Sequence, residues 1–139
     1  METYTFENDV AVIGSKVSIF PMGISEAFGS LMAMLPHGKE RRWCGISYLD
    51  GEGNIQYYTA AEELTGEEAQ AYNLDKFTIE KGEYLKEKIV DWRSHTGCMK
   101  DVFHDMMKDG RIDKTKPCVE WYKDDNEMFC MIKMTGNIE

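Results

Sequence analysis

The two halves of the chain match each other at a nearly constant spacing, and this constrains the fold more than any other sequence feature. In the predicted helices the matches are Glu26 with Asp101, Ala27 with Val102, Phe28 with Phe103, Leu31 with Met106 and Met32 with Met107, at an offset of 75. In the predicted hairpins they are Cys44 with Cys118, Tyr48 with Tyr122 and Asp50 with Asp124, at an offset of 74. The spacing predicts a tandem β-α-β-β repeat, with two helices packed on one antiparallel sheet in an α+β fold.

Hydrophobic patterning and turn residues place the elements of each half. The first half is predicted to contain a strand at 10–20, a helix with Ser25 as N-cap that ends before Pro36, and a hairpin of strands 43–49 and 55–61 around a turn at 50–54. The second is predicted to contain a strand region at 76–92 bent at Gly82, a helix at 94–108, and strands 117–123 and 127–134. Residues 62–73 read as a connection. We expect a single domain, 1–139, with pseudo-repeats at about 8–65 and 76–135, and a ligand groove at their seam.

Charge and composition narrow the function classes. The 139 residues carry a net charge of −9, which argues against direct nucleic-acid binding and against an anionic membrane surface as the main partner. There is no apolar run of the length of a membrane span, and the acidic residues 1–9 are unlike a signal peptide. The four cysteines form no CxxC pair, which fits free thiols in a reducing compartment. We therefore expect a cytoplasmic protein.

Four short motifs, in this order and spacing, make the chain resemble the GyrI-like effector-binding domain of the gyrase inhibitory protein and of multidrug-sensing transcription regulators. They are GISYLD at 45–50, the pair Tyr57-Tyr58, FTIEKGEY at 77–84 and VEWY at 119–122. The resemblance covers about 10–134. The chain departs from the family in having Glu80-Lys81 where members often have Pro before Gly, and in having no helix-turn-helix segment. It implies a free-standing domain, related to transcription regulators, for small-molecule and multidrug binding.

Glu120 is the leading candidate for a functional residue. Alternation along its strand puts Cys118, Glu120 and Tyr122 on one face, and the offset of 74 matches Glu120 to the apolar Ile46. A carboxylate on an apolar face needs a partner, so we predict that Glu120 points into a partly enclosed pocket and hydrogen-bonds a tyrosine or a backbone group. The resemblance implies that this carboxylate is the counter-charge to cationic ligands, or in some members drives hydrolysis of strained electrophiles. The alternative is an exposed surface glutamate.

Aromatic residues on the predicted strands supply candidate walls for a ligand. They are Trp43, Tyr48, Tyr57, Tyr58, Trp92, Trp121 and Tyr122. Ring faces attract cations and stack on flat organic molecules, but aromatics also favour strands for packing alone, and we expect about half to be ordinary core. Tyr48 and Tyr122, matched by the repeat, are predicted to flank Glu120 together with one of Tyr57 and Tyr58.

Several functions remain open from the sequence. The first is binding of a small amphipathic, cationic organic molecule between the two halves. The second is a hydrolase of the same fold, with Glu120 and Tyr122 as catalytic residues. The third is a protein-interaction module like the gyrase inhibitor, using the acidic residues 62–68. Haem binding is a minor option because His37, His95 and His104 show no ligand spacing, and we predict no cofactor or metal.

Overall fold

The structure is a computed structural model that describes residues 2–17, 24–49, 52, 55–92, 98–113, 115–124 and 126–135. Within these ranges the strands are β1 (Glu2–Phe6), β2 (Val10–Lys16), β3 (Trp43–Leu49), β4 (Ile55–Glu62), β5 (Asp75–Ile79), β6 (Gly82–Val90), β7 (Cys118–Tyr122) and β8 (Glu127–Lys133). The helices are α1 (Ile24–Met34), α2 (Glu68–Ala71) and α3 (Cys98–Met106). The strands form one antiparallel sheet curled into a half-barrel, so the predicted α+β class and antiparallel sheet are confirmed.

The order of the strands across the sheet is symmetric about its centre. The order is β1-β6-β8-β7-β3-β4-β2-β5, with β7 and β3 as the central antiparallel pair. On one side of this pair lie the strands of the unit β2-α1-β3-β4, and on the other those of β6-α3-β7-β8. The edge strand β1 pairs with β6, and the edge strand β5 pairs with β2. The first short strand of each half therefore extends the part of the sheet that the other half builds.

The region predicted as one strand bent at Gly82 is two strands in different parts of the sheet. β5 pairs with β2 at one end of the sheet, whereas β6 pairs with β1 and β8 at the other. Gly82 begins β6 with a φ of 131°, a backbone conformation that side chains disfavour. Only Glu80 and Lys81 lie between the two strands, so the curl of the sheet must bring its opposite ends close together.

The two faces of the sheet are covered differently. On one face, here called the helix face, Leu31 of α1 and Leu35, which directly follows α1, pack on Ile13 and Ala61, while Met106 of α3 packs on residues of β6 and β8. On the other, here called the inner face, side chains from the whole width of the curled sheet form one core. This core holds Phe6, Val12, Cys44, Ile46, Ala60, Ile79, Tyr84, Val119, Trp121 and Met131. The helices leave the central strands β3 and β7 between them on the helix face.

The register of the central pair corrects the residue matching between the hairpins. Gly45 lies opposite Glu120 and Ile46 opposite Val119, and residues paired across strands project from the same face. Ile46 and Glu120 therefore lie on opposite faces, and the predicted match between them is wrong. Because side chains alternate with a period of two, an offset of 74 exchanges the faces in this register. An offset of 75, as found in the helices, keeps matched residues on the same face of the sheet and matches Glu120 to Gly45.

Element boundaries agree with the prediction best in the hairpins. β3 has the predicted bounds, β4 and β8 differ by one residue at one end, and β7 is one residue shorter at each end. β1 was not predicted; it is a short edge strand in which Phe6 is the buried residue, and its alternation is limited to Tyr4 and Phe6. Helix α1 already includes Ile24, so Ser25 lies within its first turn and is not the N-cap. Residues 18–20, 50–51, 53–54 and 94–97 of the predicted elements lie outside the described residues.

The acidic connection predicted at 62–73 is folded tightly against the rest of the chain. It contains the short helix α2, and Glu68 forms a buried ion pair with Arg41. The side chain of Glu63 is 3% exposed and pairs with Lys76, and Glu62 accepts a hydrogen bond from the backbone N–H of Arg42. These three carboxylates are engaged within the chain, which removes the main support for an acidic protein-binding surface at 62–68.

Candidate functional site

Glu120 lies near the centre of the helix face. The register across the sheet places Glu87, Cys130, Glu120, Gly45 and Thr59 in one row that runs from β6 to β4. Because α1 packs towards β2 and β4 and α3 towards β8, this row crosses the gap between the two helices at Glu120. The carboxylate is therefore held on rigid strands, between the parts of the sheet on which the two helices pack.

Two tyrosine hydroxyls hold the carboxylate of Glu120. Tyr57 Oη donates to Glu120 Oε1 over 2.5 Å, and Tyr122 Oη donates to the same oxygen over 2.9 Å. The predicted hydrogen bond between Glu120 and a tyrosine is thus confirmed twice. Tyr122 is two residues along on the same strand face, whereas Tyr57 reaches in from β4 across β3. Both bonds end on Oε1, so Oε2 takes no part in this pair.

Gly45 makes room for this arrangement. A Cβ atom at position 45 would lie 2.6 Å from Glu120 Oε1 and closer still to the hydroxyl of Tyr57. Only a residue without a side chain lets the tyrosine cross β3 and reach the carboxylate. Sequence reasoning missed Gly45, although a glycine inside a predicted strand is itself a signal of close approach.

The surroundings of Glu120 favour its neutral form. Burial raises the pKa of Glu120, and the hydrogen bonds from Tyr57 and Tyr122 oppose this rise without cancelling it. Burial also raises the pKa of each tyrosine, reinforced by the nearby Glu120 charge, so both phenols stay protonated and act as donors. The site is therefore a carboxylate whose charged form is disfavoured by burial, beside two neutral hydroxyl donors.

We expect Glu120→Gln to raise Tm at pH 7 by a few degrees, a change of about 1 kcal/mol in a chain of this size. Because the folded-state pKa of Glu120 lies above its ordinary value of 4.5, the ionised group destabilises the fold at neutral pH. This penalty disappears as pH falls through the raised pKa towards 4.5, so the two proteins should converge there. Thermal unfolding at several pH values checks this, and an advantage of the variant that did not change with pH would contradict it.

Aromatic rings surround the Tyr122 end of the site. The ring of Phe28 from α1 meets the ring of Tyr122 edge-on, with centroids 5.6 Å apart, and the ring of Trp92 lies 4.8 Å from it. Trp43 is paired with Tyr122 across the central strands and packs beside α1. Four of the predicted aromatics, Trp43, Tyr57, Trp92 and Tyr122, thus lie on the Glu120 side of the sheet.

The remaining predicted aromatics do not reach Glu120. Tyr48 projects from the inner side of β3, is 39% exposed, and stacks on Tyr58 with ring centroids 6.1 Å apart. Trp121 follows Glu120 on β7 and therefore points to the inner face, where its ring meets that of Phe6. The placement of Tyr48 beside Glu120 is wrong for the same reason as the Ile46 match. The register selects Tyr57 over Tyr58, which the sequence left open.

No metal centre is evident in the described ranges: no three His, Cys, Asp or Glu side chains there come together in a way that could hold an ion. The thiols near Glu120 are buried, and burial raises the pKa of Cys118 to about 12. None of the helices in the described ranges has the length and apolar character needed to cross a membrane.

Comparison with solved structures shows what this fold is similar to. The protein SAV2435 bound to tetraphenylphosphonium matches with a TM-score of 0.68 at 13% identity, over 97% of this chain and 93% of that one. An integron cassette protein from Vibrio cholerae matches with a TM-score of 0.70 at 13% identity, over 96% and 94%. A hydrolase from Listeria innocua matches with a TM-score of 0.60 at 12% identity, over 96% and 90%. The likeness is one of fold. The sequence matches no protein-family model and no curated protein.

Proposed function

We propose that this chain is a GyrI-like effector-binding domain that holds an organic cation with a flat or bulky apolar body in the groove between α1 and α3. Glu120 is the counter-charge, and the rings around Tyr122 contact the apolar body of the ligand. The observation that carries the proposal is a single partly buried carboxylate held by two phenol hydroxyls on the floor of the groove.

The electrostatics of Glu120 match this role. Its charged form is disfavoured by burial in the free protein, so a cation that approaches the carboxylate relieves a penalty already present. Oε2 is not used by the two tyrosines, and the phenols fix the carboxylate in one orientation. The net charge of −9 adds a long-range attraction for cations.

The comparisons support the same ligand class. SAV2435, which shares the fold over nearly all of this chain, was solved with tetraphenylphosphonium, a cation surrounded by phenyl rings. The phenyl rings of such a ligand suit contact with aromatic side chains, and its positive charge suits a carboxylate. Here the aromatic side chains are Phe28, Trp92 and Tyr122, and the carboxylate is Glu120.

Tetraphenylphosphonium and its neutral analogue triphenylphosphine oxide test the role of the charge. We expect Glu120→Gln to weaken binding of the cation by about tenfold or more and to leave binding of the neutral compound nearly unchanged, because a charge pair is worth more than a neutral contact. Cation affinity of the parent should rise with pH through the raised pKa of Glu120, since only the ionised form attracts it. Isothermal titration calorimetry measures both.

Glu87→Gln is the matched control. Glu87 lies in the same row of the helix face with Cys130 between it and Glu120, so strand spacing puts it about 10 Å away. Its replacement removes one charge from the same face without touching the tyrosines. Equal losses in Glu87→Gln and Glu120→Gln would show general charge attraction, and no loss in Glu120→Gln would exclude Glu120 as counter-charge.

A hydrolase is the second candidate, and the pairing of a carboxylate with protonated phenols favours it. With a strained cyclic ether, Glu120 would take a proton from water as the water oxygen bonds to a ring carbon. The ring C–O bond would break, and Tyr122 would protonate the departing oxygen. Styrene oxide is a suitable probe: diol formation that Glu120→Gln and Tyr122→Phe both abolish would establish turnover. Absence of diol with the parent protein would leave binding as the function.

A further inference from the structure

The inner face carries a pocket that Glu120 does not line. It has a volume of about 220 Å³ and is lined by Tyr4, Arg42, Lys86, Trp121, Lys123, Phe129 and Met131. Trp121 and Glu120 are consecutive on β7 and project from opposite faces, so the sheet separates this pocket from the groove between the helices. We call it the inner-face pocket.

The charge of the inner-face pocket is opposite to that of the protein. Three of its lining residues are cationic, in a chain whose net charge is −9. Lys86 Nζ lies 3.6 Å from Glu2, whose side chain is 77% exposed, and Lys123 Nζ lies 3.1 Å from Glu127, which also pairs with Lys88. Glu127 is shared between two lysines, so these pairs offset only part of the positive charge at the pocket. No carboxylate among the described residues forms an ion pair with the guanidinium of Arg42, although hydrogen bonds from backbone N–H groups, and then the Lys123 and Arg42 charges, lower the pKa of the nearby Asp124.

The cations of the inner-face pocket rest on aromatic rings. The guanidinium of Arg42 lies 5.4 Å from the centre of the Trp121 ring, and Lys86 Nζ lies 4.6 Å from Phe129 and 5.2 Å from Tyr4. Trp121 and Phe129 are paired directly across β7 and β8, so the two cation–ring stacks are neighbours. A ring face holds a cation in place but carries no net charge to neutralise it.

We propose that the inner-face pocket binds a small planar aromatic anion, such as a carboxylate or sulfonate on one or two fused rings. Its anionic group pairs with Arg42 and Lys86, and its ring packs against Trp121 and Phe129. Arg42 offers the planar, forked donor geometry that fits an oxyanion, and Lys86 adds a second charge from the opposite side of the ring pair. A cation is excluded because three positive side chains line the pocket.

Titration with 2-naphthalenesulfonate, at physiological ionic strength and pH 7, tests the site. We expect saturable binding to the parent protein, and weakening of about tenfold or more in each of Arg42→Met and Lys86→Met, because each loses a charge-assisted contact to the anion. Methionine keeps an apolar stem over the ring in both variants. The neutral 2-naphthalenesulfonamide should bind more weakly than the sulfonate to the parent and equally to all variants.

Two further variants locate the effect. Lys88→Met removes a cation from the same strand and the same side of the sheet, where Lys88 Nζ pairs with Glu127 over 2.6 Å and does not line the pocket. Glu120→Gln alters the groove on the opposite face. We expect both to bind the sulfonate within about twofold of the parent. These results test the inner-face pocket independently of the proposed cation site, because they would be unchanged if Glu120 bound no cation.

Three outcomes would overturn the proposal. They are no saturable binding of the sulfonate to the parent, equal binding of sulfonate and sulfonamide, and a loss in Lys88→Met as large as in Lys86→Met. Circular dichroism shows whether Arg42→Met folds. If it does not, the sulfonate affinities of Arg42→Lys and Lys86→Met are compared with that of the parent instead. Arg42→Lys keeps the charge but loses the forked geometry, so it should fall between the parent and Lys86→Met.

Discussion

Replacing Arg41 by methionine is expected to lower the free energy of unfolding by about 3 kcal/mol, because it leaves the carboxylate of Glu68 buried without its partner. The side chain of Arg41 is fully buried, and its Nη2 lies 2.8 Å from Glu68 Oε2. The same guanidinium donates to the backbone carbonyls of Pro36 and Glu62. One residue thus joins the end of α1, the end of β4 and helix α2. Urea unfolding measures the loss.

A second substitution and an exposed pair provide the controls. Arg41→Met with Glu68→Met should recover part of the stability, since no uncompensated charge remains. Arg111→Met breaks an ion pair of similar length, 2.8 Å to Asp109, but the Arg111 side chain is 59% exposed, so its loss should lower stability much less than Arg41→Met does. Equal losses in Arg41→Met and Arg111→Met would contradict a structural role for the buried pair.

The same pair gives the fold a dependence on acid. The hydrogen bonds from Arg41 hold the pKa of Glu68 below its ordinary value of 4.5, assisted by the backbone N–H groups of Leu64 and Thr65. A lowered pKa means that the stabilisation is present above pH 4.5 and is lost as pH falls through the folded-state pKa. Glu68 and Glu120 therefore respond to acid in opposite directions.

Gly45→Ala is expected to disrupt the candidate site and to destabilise the fold by about 1–3 kcal/mol through overpacking. The added methyl group would occupy the space through which Tyr57 reaches Glu120, and Tyr57 is only 2% exposed, so its ring has little room to move. Losing this hydrogen bond leaves Glu120 Oε1 held by Tyr122 alone, so the carboxylate is less firmly oriented. We therefore expect tetraphenylphosphonium binding to fall by about tenfold, measured by calorimetry beside the unfolding experiment.

Gly29→Ala is the matched control for Gly45→Ala. Gly29 lies on the exposed side of α1, and a Cβ atom there would meet nothing within 4 Å. Alanine is the better helix former, so this variant should gain up to about 1 kcal/mol and keep its cation affinity. If Gly45→Ala bound the cation as tightly as Gly29→Ala does, the contact between Tyr57 and Glu120 would not position the carboxylate.

Glu120 shows how a correct expectation can come from an incorrect match. It was singled out because an even offset paired it with Ile46, yet Ile46 projects from the other face. The expectation of a tyrosine partner is confirmed all the same, since alternation along a single strand is enough to put Tyr122 beside Glu120. Alternation is local, whereas the match depended on the register between strands that are distant in the chain.

The sequence by itself determined the elements that local patterns specify. The bounds of β3 and the near agreement of β4, β7 and β8 follow from alternating apolar residues between turn signals. The same patterns predicted two helices and put Cys118, Glu120 and Tyr122 on one face. Each of these depends on neighbours within a few residues, which the chain carries in any context.

Only the tertiary structure decided which distant residues meet. The strand register puts Tyr57, and not Tyr58, on the same face as Glu120, and it puts Tyr48 on the opposite face. It also places Gly45 where any side chain would block Tyr57 from reaching Glu120. Strand pairing put β5 and β6 in different parts of the sheet and brought Lys86 of β6, Trp121 of β7 and Arg42, which precedes β3, to one pocket. The physical reason is that side-chain direction reverses at every residue of a strand. A shift of one residue in register therefore exchanges the two faces without any change in the local pattern.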